Sequence, residues 1–215
     1  MIPTERKFWT YRLFRLLCWS YLKIFHRYET RGAENVPVEG GCIVAANHAS
    51  FMDPPVAGCG PMHRVVRFMA RDTLYKKRFI RWFFLKLATL PISRDGGDIA
   101  ALKKSIQILK DGGCLGLFPE GTRTTDGSLQ SVKVGLGFLI AKAGVPVVPA
   151  YIDGTFAAYS RHAKSITHAK IQVFYGVPIT PAEIATFGRG RDSYEKISNL
   201  VMQRIAELRA ANISH

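Results

Sequence analysis

Apolar and polar positions fall into blocks along this chain, and the period changes from block to block. Residues 42–46 (Cys-Ile-Val-Ala-Ala) form an unbroken apolar run of strand length, and 65–69, 114–118, 147–151 and 171–175, mostly apolar, also read as strands. Helical periods lie between them. Over 98–110, Ile99, Leu102, Ile106 and Leu109 recur at spacings of three and four, and Gly112-Gly113 stops the pattern. A second helix is expected over 132–143, ended by Gly144, and a closing one over 193–210 with Ser193 as a candidate cap. Strands alternating with helices predict an α/β layer fold, with a mostly parallel central sheet flanked by helices. Residues 29–215 read as one such domain, without internal repeats.

Residues 5–28 have a different texture. On a helical wheel Arg12, Arg15 and Lys23 share a narrow sector, and Leu13, Phe14, Leu17, Cys18, Tyr21, Ile24 and Phe25 cover the opposite side. Phe8 and Trp19 lie beside the charges, where an aromatic ring suits the headgroup level of a bilayer. The apolar sector is wider than one core contact requires. It predicts an N-terminal amphipathic helical membrane arm over 1–28, with a core-packing helix and solvated arginines as the alternative. A second cationic, apolar stretch follows at 73–90, where Lys76, Lys77, Arg78, Arg81 and Lys86 stand among Phe79, Ile80, Trp82, Phe83, Phe84 and Leu85. The longest run free of Asp, Glu, Lys and Arg has 13 residues, 40–52. A spanning helix needs roughly 18. No secretory cleavage pattern follows the arm.

Composition sharpens the choice of partner. Hydrophobic residues make up 47% of the 215, enough for a core. Thirty Lys and Arg against 16 Asp and Glu give a net charge of +14, which suits nucleic acid, anionic lipid or phosphorylated substrates. There is no zinc-finger spacing, no RNA-binding aromatic strand motif and no basic tail. The basic residues are densest where bulky apolar residues are densest, so an anionic membrane surface is the expected partner and nucleic acid is not. Cys18, Cys42, Cys59 and Cys114 are scattered without a C-x-x-C, which predicts no metal site and reduced thiols in a cytosolic setting. The expected location is the cytoplasmic face of a membrane, peripheral or monotopic, with the bacterial inner membrane favoured.

The candidate chemistry starts directly after the first strand, in Asn47-His-Ala-Ser-Phe-Met-Asp53. Residues five apart face different ways on a helix, so His48 and Asp53 meet only if the chain turns between them, and Pro54-Pro55 fits a turn. His48 can then act as general base through one ring nitrogen while Asp53 holds the other. No G-x-S-x-G elbow is present, and Ser50 reads as a backbone-bonding turn residue. With no protein nucleophile, the natural reaction is direct attack by a substrate hydroxyl on an activated acyl group. Phe118-Pro-Glu-Gly-Thr-Arg123 follows another strand, putting Glu120 and Arg123 at a carboxyl edge where ligands bind, with Gly121 permitting close approach. Leu90-Pro-Ile-Ser-Arg94 adds a second arginine, and 145–149 (Val-Pro-Val-Val-Pro) reads as a wall.

These four blocks, in this order and spacing, resemble those of the glycerolipid acyltransferases, over roughly residues 30–180. The resemblance implies that His48 is the base and Asp53 its orienting partner. It implies that Arg94 and Arg123 lie near the acceptor's phosphate, that Glu120, Gly121 and Thr122 line the site, and that Arg71 and Lys133 are further phosphate candidates. Ala70-Arg71-Asp72-Thr73-Leu74 stands where the family often has Ala-Lys-x-Glu-Leu, so the lysine and glutamate are replaced by Arg71 and Thr73. The implied reaction moves a fatty acyl group from acyl-CoA or acyl-carrier protein to a lysophospholipid hydroxyl, with lysophosphatidic acid favoured. No metal or cofactor is expected, because a thiolate leaves without one. The alternatives are another lysolipid acceptor, including an amino-acid-derived one, and a non-catalytic protein that binds anionic lipid.

Overall fold

The apolar run at 42–46 becomes the middle of the sheet. The computed structural model describes residues 9–71, 90–92, 97–133 and 135–213. The chain runs through α1 (Trp9–His26), β1 (Glu29–Arg31), a 3-10 turn (Ala33–Asn35), β2 (Cys42–Ala46), α2 (Asp53–Cys59), β3 (Val66–Arg71) and β4 (Leu90–Ile92). It continues through α3 (Gly97–Lys110), β5 (Cys114–Leu117), α4 (Gly135–Ala143), β6 (Val147–Asp153), α5 (Thr155–Tyr159), β7 (Gln172–Tyr175), α6 (Pro181–Ala185) and α7 (Arg191–Asn212).

Among the described residues, seven strands form one sheet in the order β1-β7-β6-β2-β5-β3-β4. Val44 of β2 registers with Gly116 of β5 on one side and Val148 of β6 on the other. A strand covered on both faces needs no polar residue, so β2 reads as a continuous apolar run and all five of its residues are buried. Successive residues serve opposite layers. Val44 and Ala46 meet Leu22, Tyr28, Val56 and Val148 on the α1/α2 side. Ile43 and Ala45 meet Leu115, Ile140, Ile197 and Val201 on the α4/α7 side.

The expected mostly parallel sheet is corrected to a mixed one. β6 and β7 are antiparallel, Tyr151 facing Phe174, while the other pairs of described strands are parallel. Residues 154–171, between β6 and β7, hold only the five-residue α5. Without a crossover helix of ordinary length, the chain turns back beside the strand it has just left. The closing helix also starts earlier than expected, at Arg191, and Ser193 Oγ donates to Phe187 O at 2.7 Å instead of capping.

α1 packs along α2, and its polar residues are distributed against expectation. Arg12 and Lys23 are exposed, but Arg15 is buried. Its guanidinium donates to the carbonyls of Met62 at 2.6 Å, Arg64 at 2.7 Å and Pro61 at 3.4 Å. The 61–64 loop presents a cluster of carbonyls with no strand to take them, and one arginine supplies the donors. At the other end of α1, buried His26 donates from Nδ1 to Ala169 O at 3.2 Å. Leu22 and partly buried Cys18 and Trp19 fill the space between. The opposite face leaves Trp9, Leu13, Leu16, Leu17, Ile24 and Phe25 exposed. Among the described residues, no helix is long and apolar enough to cross a membrane.

Arg15 therefore joins α1 to the sheet unit. Arg15→Met keeps the bulk and removes the donors, and is expected to lower folding stability by about 1.5–3 kcal/mol. An unchanged urea midpoint would show that the three carbonyls do not depend on it.

Candidate active site

The site is built where β2 stops. Asn47 pins that end to β6: its Nδ2 donates to Ile152 O at 3.0 Å and its Oδ1 accepts the Ile152 N–H at 2.7 Å. The chain then leaves the sheet, turns through residues 48–52 and enters α2 at Asp53. Pro54 and Pro55 do not form the turn, as the sequence suggested, but the first turn of this helix. There a missing N–H costs no intrahelical bond and the fixed φ suits the helix.

His48 and Asp53 meet as expected. Asp53 is fully buried, and its Oδ2 accepts three hydrogen bonds: His48 Nδ1 at 2.8 Å, Ala49 N–H at 2.6 Å and Ser50 N–H at 2.7 Å. A carboxylate here can only accept, so in the neutral ring the proton sits on Nδ1 and Nε2 keeps its lone pair. The His48 side chain is 18% exposed. Its ring stacks on Phe118 with centroids 4.0 Å apart, and Phe118 stacks on Phe68 at 5.5 Å. Ser50 is bound into the turn: Oγ donates to Tyr159 O at 2.6 Å and accepts the Met52 N–H at 3.0 Å.

The second motif grips the first through its backbone. Glu120 Oε1 accepts the His48 N–H at 3.1 Å, and the His48 carbonyl accepts the Thr124 N–H at 2.8 Å. Burial pushes the Glu120 carboxyl up to about 7, partly offset by hydrogen bonds from the His48 and Gln130 amides, with nearby Asp53 adding a smaller upward push. Gly121 has φ +65 in a turn closed by its N–H on Phe118 O at 3.0 Å. The Lys133 side chain lies over it, and a Cβ on Gly121 would sit 2.7 Å from Lys133 Cδ and 3.1 Å from Nζ. Arg123 lies over the Phe51 ring, its Cζ 3.4 Å from the centroid. Thr122 is exposed at the same turn.

Two expected residues fall outside this cluster's description. The backbone puts Arg71 at the carboxyl end of β3, in register with Ile92. Its side chain, Arg94, and the 73–89 part of the second cationic stretch lie outside the described residues. Sequence reasoning missed Asn47, Phe51 and Phe118 as parts of the site. Asn47 had a legible signal, a side-chain amide directly after a strand. The two rings had none, because their partners lie in the other motif, His48 for Phe118 and Arg123 for Phe51, about 70 residues away along the chain. Among the described residues, no three His, Cys, Asp or Glu side chains are grouped to hold a metal ion.

The fold and site define a class: α/β proteins with an oriented histidine at a strand end and a Gly-Thr-Arg turn against its backbone. The sequence model of the Acyltransferase family matches residues 27–153, and the chain belongs to that family. It is 27% identical over 175 residues to the 1-acyl-sn-glycerol-3-phosphate acyltransferase of Bacillus subtilis (strain 168), covering 81% of this chain and 84% of that one. It is 29% identical over 183 residues to the chloroplastic 1-acyl-sn-glycerol-3-phosphate acyltransferase LPAT1 of Arabidopsis thaliana, covering 82% of this chain and 50% of that one. The crystal structure of the 1-acyl-sn-glycerophosphate acyltransferase PlsC from Thermotoga maritima superposes with a TM-score of 0.76 and 27% identity, over 100% of this chain and 86% of that one.

The raised Glu120 carboxyl has a pH signature. A group whose folded pKa is raised contributes stability that is complete below its ordinary value of 4.5 and is lost as pH rises through about 7. Relative to Glu120→Gln, the protein should therefore lose stability between these limits, by at most roughly 3 kcal/mol. Parallel urea titrations of the two proteins across that range measure it, and a difference that is flat with pH would contradict a buried, titrating Glu120.

Proposed function

We propose that this site transfers a fatty acyl group from an acyl thioester, on coenzyme A or an acyl-carrier protein, to the free hydroxyl of a lysophospholipid. The proposed acceptor is 1-acyl-sn-glycerol 3-phosphate, lysophosphatidic acid, and the product is phosphatidic acid. One observation carries the reading. His48 is held at Nδ1 by a buried carboxylate while its ring stays partly exposed, and the only hydroxyl in the turn, Ser50, is bound to backbone. The family supports acyl transfer, and the names of the relatives support the same acceptor.

In the proposed reaction the acceptor oxygen attacks the thioester carbonyl carbon as His48 Nε2 takes its proton. The tetrahedral adduct collapses with cleavage of the C–S bond, and the leaving thiolate takes the proton back from the imidazolium. Asp53 fixes the ring and stabilises the imidazolium. Arg123 and Lys133 supply cationic groups suited to the acceptor's phosphate, with Arg71 and Arg94 proposed beside them. Glu120 and Thr122 line the site, Glu120 acting through the His48 backbone. Held this way, the hydroxyl is positioned before chemistry begins.

The proposed location of that chemistry is the cytoplasmic face of an anionic membrane. The exposed face of α1, with Ile24 71% accessible and bordered by Arg12 and Lys23, supports monotopic attachment.

Two measurements test the reading. His48→Ala, folded by circular dichroism, should lose roughly 10²–10⁴-fold in thiol release from acyl-CoA with lysophosphatidic acid as acceptor. Undiminished transfer would remove His48 as the base. Leu13→Glu/Leu17→Glu alters only exposed positions and should leave the protein folded but unbound in sedimentation with anionic vesicles. Sedimentation equal to wild type would remove α1 as the attachment surface.

A further inference from the structure

We infer that Phe51 is a positioning residue, the platform that fixes the Arg123 guanidinium for the acceptor's phosphate. The inference rests on the acceptor reading above. Phe51 lies between His48 and Asp53, in the most tightly held turn of the site. The Ala49 and Ser50 amides donate to Asp53, the Met52 amide donates to Ser50 Oγ, and Ser50 Oγ donates to Tyr159 O. With its neighbours fixed on both sides, Phe51 cannot turn inward, and it stays 53% exposed. A large apolar ring left in the open next to a general base has no core to fill.

What it does touch is Arg123, whose Cζ lies 3.4 Å from the ring centroid. At that separation the guanidinium lies flat on the ring, because an edge-on group would drive a nitrogen into the ring carbons. Flat stacking occupies one face of the guanidinium and keeps its N–H groups in the plane of the rim, parallel to the ring, with Nη1 buried. That rim is the fork that phosphate oxygens accept. The Tyr159 ring, 6.0 Å from Phe51, flanks the platform. The Thr124 N–H on His48 O fixes the backbone one residue beyond Arg123. One rigid turn therefore aims both the base and the cation. The spacing between the acceptor's phosphate and its hydroxyl is read by a structure that does not need to reorganise on binding.

Phe51 then acts on phosphate-bearing acceptors selectively, which separates it from a membrane-inserting aromatic or a general structural residue. Phe51→Leu keeps apolar bulk and removes the ring face, whereas Phe51→Trp keeps a face. Steady-state kinetics on vesicles compare lysophosphatidic acid with monoacylglycerol, which lacks the phosphate. Phe51→Leu should raise KM for lysophosphatidic acid by roughly fivefold to thirtyfold. Its kcat should stay within about twofold of wild type, as expected when binding shared by ground and transition states is lost. Monoacylglycerol turnover should be unchanged, and Phe51→Trp should retain a KM near wild type. An unchanged KM in Phe51→Leu, an equal loss on both acceptors, or a Phe51→Trp as impaired as Phe51→Leu overturns the inference alone. A wild-type enzyme that acylates monoacylglycerol but not lysophosphatidic acid overturns the acceptor reading and this inference with it.

Discussion

A single carboxylate oxygen organises the site. Asp53 Oδ2 accepts the His48 ring and two backbone amides, all within 2.8 Å, in a position without solvent. A buried carboxylate is costly unless it is well bonded; three donors on Oδ2 offset part of that cost, while the buried Oδ1 has no hydrogen-bond partner among the described residues. These bonds tie down the turn between β2 and α2. The imidazole, Ser50 and Phe51 are all placed by it, and so is the start of α2. The two prolines after Asp53 add stiffness where a helix start tolerates them. Removing the carboxylate would release the two amides together with the ring.

That turn is also where two distant parts of the chain become one structure. The His48 backbone is held by Glu120 on its N–H and by Thr124 on its carbonyl. Its ring rests on Phe118, which rests on Phe68 of β3. β2, β3 and β5 are parallel neighbours, so their carboxyl ends converge on one edge of the sheet. Asn47 secures the same edge on the β6 side. The sheet thus supplies a rigid rim, and the two motifs supply the groups that stand on it. α1 approaches from the α2 side and leaves its apolar face outward, so the proposed lipid surface and the site belong to one packed body.

Most of the sheet could be read from the sequence because β2, β5 and β6 are apolar on both faces and stand out as unbroken runs. β1 and β4, three residues each at the sheet's edges, carry no such run. The antiparallel β7 was hidden for another reason: strand composition does not encode direction, and only the short connection to it does. The meeting of His48 and Asp53 was legible from their spacing and from the end of a strand before them. The burial of Arg15 was not, since a wheel assigns a charge to the polar face and cannot see the carbonyls of residues 61–64 waiting opposite. Phe51 under Arg123 was equally invisible, because the contact depends on two turns meeting in space.

The central claim is that Asp53 fixes the His48 tautomer and so leaves Nε2 free to take a proton. Long-range ¹⁵N–¹H NMR of the labelled imidazole reads this directly. Held by Asp53, neutral His48 should show a protonated Nδ1 and a bare Nε2, and Asp53→Ala, which removes the acceptor, should abolish that preference. A neutral ring protonated at Nε2, or a tautomer unaffected by Asp53→Ala, would contradict it.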